Sequence, residues 1–251
     1  MNVGLVGAGN MARALARGWA QPILCTDSGS GRARALVEEV GGEALPSNRE
    51  LGLRADVIVL AHKPAQLHTV ATELAEVAAV KPVVSLLART SSQAVREAYP
   101  QAHVFQIQPN LAVEMRRGVS ALARPDDECP PEHAQAVREL FARVGNVVEV
   151  PENLLDVASA CSGVGPAYWA LLLEAQADAA IRRGLTPAQA CALIGETMAG
   201  SAELLRARNW DTLAVRREVA SPGGTTARGL AALERGGVRA AFSAAIDDVL
   251  G

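Results

Sequence analysis

Lysine is almost absent from this 251-residue chain: Lys63 and Lys81 stand against 22 arginines, and no lysine lies beyond residue 81. Histidine is scarce too. With only His62, His68, His103 and His133 present, residues 134–251 offer neither the usual general base nor an amine nucleophile. Three Phe, two Tyr and three Trp leave few bulky fillers for a helical core. Cys25, Cys129, Cys161 and Cys191 form no Cys-x-x-Cys pair, which argues against a zinc site or a disulfide framework and fits a reducing compartment. No apolar run approaches the roughly 20 residues of a membrane span. A strand reading from the first residues leaves no room for a signal peptide, so a cytoplasmic protein is expected. Acids outnumber bases 27 to 24, for a net charge of -3, so the basic excess that nucleic-acid binding requires is missing.

What is present describes a folded chain, with 49% hydrophobic and 20% charged residues and a length that suits two modest domains. In the first half, β-branched runs at residues 2–6, 23–26, 57–61, 83–87 and 103–108 alternate with Ala-, Leu- and Arg-rich stretches. Such alternation predicts βαβ units and a mainly parallel, doubly wound sheet of the α/β class. A further pair of strands, near 118–123 and 147–150, brackets a helix beginning after Pro130-Pro131 and would extend the sheet. After Pro151 the β-branched runs give way to Ala/Leu helices. The expected division is therefore a Rossmann-like domain over 1–150 and an all-α domain over 151–251. Pro166 and Pro187 read as first-turn prolines of two long helices, with Gly184 between them. Forty-eight alanines favour closely packed helices, and a bundle so poor in bulky fillers is expected to bury its surface against a second copy, as a homodimer.

Gly7-Ala8-Gly9-Asn10-Met11-Ala12 follows the first strand and opens a helix. Gly7 permits the tight turn, Gly9 lets the backbone approach a pyrophosphate, and Ala12 allows close helix–strand packing. The helix N-terminus supplies free N–H groups and positive dipole to phosphates. Asp27 stands 20 residues after Gly7, where a carboxylate would accept hydrogen bonds from the ribose hydroxyls of NAD. Ser28, Ser30, Arg32 and Arg34 equally suit a 2′-phosphate, and Asp27 equally suits a helix cap. Ala61-His62-Lys63-Pro64 follows the third of these strands at the carboxyl edge, where ligands sit in such sheets. His62 reads as a proton donor or as a structural histidine, and Pro109-Asn110 on the same edge is by itself a turn signal. Ser221-Pro222-Gly223-Gly224-Thr225-Thr226 lies between helices. Its glycines let N–H groups converge beside two hydroxyls at a helix start, as a carboxylate site or as an N-capped turn.

In order along the chain, Gly7 to Ala12, Ala61 to Pro64, Pro109-Asn110, Cys161 to Tyr168 and Ser221 to Thr226 resemble the pyrroline-5-carboxylate reductase family. The resemblance implies a Rossmann domain binding NADPH or NADH, a helical domain that interlocks with a second subunit in dimers that often form rings of five, and reduction of 1-pyrroline-5-carboxylate to L-proline. It further implies cofactor contacts at Gly7, Ala8, Gly9, Asn10, Met11, Ala12, Ser28, Asn48, Ala61, His62, Lys63, Pro64 and Ala88. Substrate contacts are implied at Glu152, Ser221, Gly223, Gly224, Thr225 and Thr226, with Thr226 placed to hydrogen-bond the ring nitrogen as the catalytic residue. The chain departs from the family pattern where Gln106, Leu111 and Ala112 replace the arginine, threonine and proline of an Arg-x-Met-Pro-Asn-Thr-Pro segment. Val164 replaces a serine, His62 a valine, and Arg89 stands where an Ala-Gly pair is usual.

Chemistry bears on the choice. Alcohol oxidation needs a base, and the helical half has no Lys or His. A cyclic imine can arrive protonated, leaving the protein to position it, hold its carboxylate and exclude water. A reductase for another cyclic imino acid and a non-catalytic dinucleotide-binding protein remain as alternatives.

Overall fold

A computed structural model of the chain describes residues 1–124 and 129–251. It divides into two compact units, Met1–Pro166 and Ala167–Gly251.

The first unit is built on one sheet. Strands β1 (Val3–Val6), β2 (Ile23–Thr26), β3 (Gly42–Ala44), β4 (Val57–Leu60), β5 (Pro82–Ser85), β6 (His103–Pro109), β7 (Gly118–Ala123) and β8 (Gly145–Val150) lie in the order β3-β2-β1-β4-β5-β6-β7-β8. All neighbours run parallel except β6 and β7. The central strands β1, β4 and β5 are buried along their whole length, because helices cover both faces. Side chains alternate between those faces. Val3, Leu5, Val57, Val59 and Val84 join one core with helices α1 (Asn10–Trp19) and α6 (Pro131–Ala142). Val6, Ile58, Leu60 and Val83 join the other with α3 (Asn48–Arg54), α4 (Leu67–Leu74) and α5 (Ser92–Ala98). Trp19 ties α1 to α6, donating Nε1–H to Leu140 O at 3.0 Å and meeting Phe141 edge-on at 5.9 Å.

The doubly wound sheet expected from the alternation is present, with strand ends displaced by one or two residues. Strand β3 was not foreseen: Gly42-Glu43-Ala44 holds no β-branched residue. It follows α2 (Arg32–Val40) and pairs with β2 at close backbone approach, such that a Cβ on Gly42 would lie 1.9 Å from Ile23 O, while Ala44 packs against the core. The change in composition at Pro151 and the edge of the compact unit at Pro166 are different boundaries. Between them α7 (Leu155–Ser162) packs on β6 and β7, with Leu155 joining Ala121 and Ala123.

The second unit follows from α8 (Gly165–Ile181), whose second residue is Pro166. Its other helices are α9 (Pro187–Ala207), α10 (Thr212–Val219), α11 (Thr225–Arg235) and α12 (Val238–Leu250). Pro187 opens α9 behind a capping box formed by Thr186 and Gln189, and Gly184, at φ 108°, ends the preceding turn. Within residues 167–251 only Ala177 and Ala190 are buried, while Trp169, Leu171, Leu193 and Trp210 are exposed. A single copy of this unit leaves its apolar surface in water, at a cost of about 25 cal/mol per Å².

Lys81 is spent on architecture. Its Nζ donates to Gly52 O at 2.7 Å, Ala55 O at 2.9 Å and Leu53 O at 3.5 Å, closing the carbonyl end of α3 with a positive charge. Lys81→Met keeps the stem and removes the three donors. It is expected to lower unfolding free energy by about 1–3 kcal/mol in urea titration. An unchanged midpoint would dismiss the cap.

Candidate functional site

The C-terminal ends of β1, β2, β4 and β5 open on a crevice of about 630 Å³. Its base is the β1–α1 turn. Gly7 has φ 104° and donates its N–H to Thr26 O at 2.9 Å, and a Cβ there would lie 2.8 Å from Ala61 C and 2.9 Å from His62 N. Only glycine fits, in conformation and in space. Gly9 differs: its backbone is extended, and a Cβ would meet nothing nearer than Ala61 O at 3.9 Å. What a side chain would fill there is the crevice itself. No side chain caps α1 and no acid stands in its first turn, so its leading N–H groups remain free for an anion. This cradle suits the pyrophosphate of a dinucleotide.

Of the expected cofactor residues, Gly7, Ala8, Gly9, Met11, Ser28, Asn48, Ala61, His62, Lys63, Pro64 and Ala88 line the crevice. Asn10 and Ala12 do not. Asn10 is exposed at the start of α1, and Ala12 is fully buried in the α1 core, in the packing role its small size suggests. Thr26, Gln66, Thr69, Val70, Glu73, Leu86 and Leu87 also line the wall, though no motif pointed to them. Thr26 Oγ1 donates to Asn48 Oδ1 at 2.6 Å, and Asn48 Nδ2 to Glu73 Oε2 at 2.9 Å, so that Asn48 is held from both sides.

The structure decides between the readings left open for Asp27. Its Oδ1 accepts from Gly29 N at 2.8 Å, and its Oδ2 accepts from Ser30 Oγ and Ala33 N at 2.9 Å. It caps α2 and shapes the 28–31 loop. Desolvation is the largest single influence and raises its pKa, yet the hydrogen bonds from Ala33, Ser30, Gly29 and Arg32 together hold the carboxyl below its ordinary value. Ser28, Ser30 and Arg32 then face the crevice, while Arg34 is not among its lining residues.

His62 Nδ1 lies 2.9 Å from Lys63 O, a bond that requires its proton on Nδ1. Burial lowers the pKa of the ring, partly offset by that bond, and Nε2 is buried without a partner. In that tautomer a neutral ring offers a lone pair, not a proton, at Nε2. Lys63 is exposed at the rim.

Asn110 proves structural. Its N–H donates to Val119 O at 3.0 Å, its Oδ1 accepts from Val119 N at 3.1 Å, and its Nδ2 donates to Ser162 O at 3.3 Å. Glu152 lines a second cavity of the same unit, about 710 Å³, with Arg89, Ser91, Gln106 and Asp156, and its carboxylate lies 3.4 Å from Arg96 Nη2. Arg89 has φ 55°, a left-handed conformation that costs a residue with a side chain about 1–2 kcal/mol.

In the helical unit, Ser221 to Thr226 forms the entry to α11. Gly223 has φ 69°, Gly224 N donates to Ser221 O at 3.1 Å, and Gly224 is the extended N-cap residue. Thr225 and Thr226 are the first two helical residues, and no side chain caps them. Gly224 thus caps α11 without a side-chain bond, and the leading N–H groups stand beside two hydroxyls, an arrangement that suits an anion.

Residues 152–250 match a family model described as pyrroline-5-carboxylate reductase dimerisation, and residues 2–89 one described as NADP oxidoreductase, coenzyme F420-dependent. The chain is 36% identical to pyrroline-5-carboxylate reductase from Synechocystis, over 98% of this chain and 94% of the relative. It is 35% identical to the enzyme of that name from Thermus thermophilus, over 98% and 95%. The structure of the pyrroline-5-carboxylate reductase from Coxiella burnetii superposes with a TM-score of 0.89 at 29% identity, covering 99% of this chain and 95% of that one. Matched along nearly its whole length in sequence and in fold, the chain belongs to the pyrroline-5-carboxylate reductase family.

Proposed function

We propose that the protein reduces 1-pyrroline-5-carboxylate to L-proline with NADPH. The observation that carries this reading is the uncapped entry to α11, where free N–H groups and the Thr225 and Thr226 hydroxyls converge with no protein partner, in a chain whose other unit holds a dinucleotide cradle. NADPH, when bound, supplies the hydride. The ring nitrogen arrives protonated, the hydride adds to C5, and the C=N bond becomes an N–H amine, so the step needs no base from the protein. That agrees with a helical unit free of Lys and His.

Each residue then has a positional task. The Ser221, Gly223 and Gly224 backbone and the first turn of α11 hold the substrate carboxylate. Thr226 Oγ1 accepts from the ring N–H and fixes which face of C5 is presented, with Thr225 beside it. Glu152 is assigned to the substrate side on its match to the family pattern. On the cofactor side, Gly7, Gly9 and the α1 N-terminus hold the pyrophosphate. Asn10 and Ala12 contribute through the backbone N–H groups of that first turn, not through their side chains.

NADPH is favoured over NADH on geometry. A ribose-binding carboxylate must offer its oxygens to the ligand, and those of Asp27 are engaged by the loop. The hydroxyl of Ser28 and the cation of Arg32 remain for a 2′-phosphate. A homodimer through residues 152–250 accounts for the exposed apolar side chains of the helical unit, and a ring of such dimers is the further assembly proposed. Among the described residues no helix is long and apolar enough to cross a membrane. Cys25, Cys161 and Cys191 are free thiols, which favours the cytoplasm.

The reading is tested by following NADPH and NADH oxidation with 1-pyrroline-5-carboxylate. Turnover with NADPH preferred is expected; activity confined to a six-membered or sulfur-containing imine, or NADPH binding without turnover, would overturn it. Thr226→Ala is expected to lower kcat/KM by about 10- to 100-fold, the equivalent of one hydrogen bond to a charged group. Arg32→Ala is expected to weaken NADPH about tenfold while leaving NADH unaffected, measured by cofactor fluorescence. For Asp27, the depressed carboxyl contributes stability that is complete above the unfolded value of about 4 and is lost as pH falls through the lower folded value. Asp27→Ala therefore costs about 1–2 kcal/mol in urea at pH 7, and its deficit narrows only below about pH 4.

A further inference from the structure

We propose that Gln106 is a positioning residue for the cofactor: its side-chain amide holds the 87–90 turn, and with it the Ala88 wall of the crevice, in a conformation that Arg89 would otherwise leave. The inference rests on the dinucleotide reading of that crevice.

Strand β6 sets Gln106 opposite Ser85 at the end of β5, one residue before the chain enters the turn. Gln106 is 4% exposed. Its Nε2 donates to Thr90 O at 2.6 Å and reaches Leu87 O at 3.5 Å, so one amide spans the two carbonyls that flank Ala88 and Arg89. The orientation of the amide is fixed by this: turned over, it would set its own oxygen against both carbonyls. As placed, Oε1 is buried without a partner. An orphaned acceptor is unfavourable, and a hydrocarbon side chain would avoid it, so what glutamine contributes here is its pair of donors.

The turn needs holding. Arg89 sits in left-handed backbone at φ 55°, where its Cβ crowds the following carbonyl. On the near side the chain is anchored, Leu86 N donating to Leu60 O at 3.0 Å and Leu87 N to Ser85 Oγ at 3.3 Å. On the far side Gln106 Nε2 donates to Thr90 O, beside the bond from Thr90 Oγ1 to Ala88 O at 3.3 Å and the Ser91 cap of α5, and of these the Gln106 bond is the one that ties the turn to the sheet. Leu86, Leu87 and Ala88 line the crevice between these two anchors. If the far anchor is lost, Arg89 relaxes toward negative φ and Ala88 moves with it, so the crevice must be reshaped before a dinucleotide enters.

The test is a cycle of three variants, Gln106→Met, Arg89→Gly and both together, read by NADPH fluorescence titration and by the KM for NADPH against kcat. Gln106→Met is expected to weaken NADPH binding and raise its KM about tenfold, with kcat at saturation within about twofold, tenfold being about 1.4 kcal/mol. Arg89→Gly alone is expected to bind as the parent does, since glycine takes positive φ without strain. The double variant is expected to return to within about twofold of the parent. A double variant as weak as Gln106→Met, or a Gln106→Met protein that binds as the parent, overturns the inference. Should Gln106→Met fail to fold, the double variant decides alone: folded and binding supports the proposal, unfolded overturns it. A parent protein that binds no NADPH would instead sink the cofactor reading, so the two failures are distinguishable.

Discussion

The close approach of Gly7 to the end of β4 governs the geometry of the dinucleotide crevice. With φ at 104° and no room for a Cβ against Ala61 and His62, the chain can leave β1 and enter α1 only by passing directly over the neighbouring strand. That path puts the N-terminus of α1 at the carboxyl edge of the sheet and brings Ala61 to Pro64 within reach of the same space. The neighbouring elements then adjust to it. Thr26 receives the Gly7 N–H and turns its hydroxyl to Asn48, and Asp27 folds the next loop back on itself. A crevice of this kind is the consequence of one glycine's backbone, with side chains added at its rim.

The two helix starts assigned to anions share an extended glycine in place of a capping side chain. Ser47, Ser91, Thr186 and Asp211 each accept a backbone N–H at the start of α3, α5, α9 and α10, as ordinary helix starts do. Among the helices with a described N-cap, α1 and α11 begin on glycines in extended backbone, Gly9 and Gly224, with no side chain in the way. Their first N–H groups keep both the dipole and the vacancy. One such start lies in each unit, which matches a reaction between an anionic cofactor and an anionic substrate.

Much of this could be read from the residues. The glycine string after β1 and the alternation of β-branched runs with helices rest on local rules that tertiary structure did not override. Strand β3 escaped because its pairing depends on a glycine that lets two backbones touch, and backbone contact leaves no side-chain signature. Asp27 was ambiguous for a different reason: a carboxylate at that spacing can face the ligand or the loop, and only the orientation of Gly29, Ser30 and Ala33 decides. The role of Gln106 was not visible at all. In sequence it shares β6 with the polar His103 and Gln108, and the role proposed for it comes from a turn 16 residues away whose two carbonyls meet its amide.

The two lysines divide between the two demands the fold makes. Lys81 neutralises the carbonyl end of α3, and Lys63 stands exposed at the rim of the dinucleotide crevice, so neither lies in the helical unit. His62 is committed as well, its Nδ1 proton given to Lys63 O and its ring kept neutral by burial. At the entry to α11 stand hydroxyls and backbone N–H groups, with Arg228 Nη1 donating to Gly223 O at 3.3 Å, groups that hold and orient but neither take up nor release protons at ordinary pH. On the function proposed, such equipment suits a reaction whose proton is already in place. A protonated cyclic imine meets that condition and an alcohol does not, and so the shortage of lysine and histidine selects the chemistry as firmly as the residues that are present.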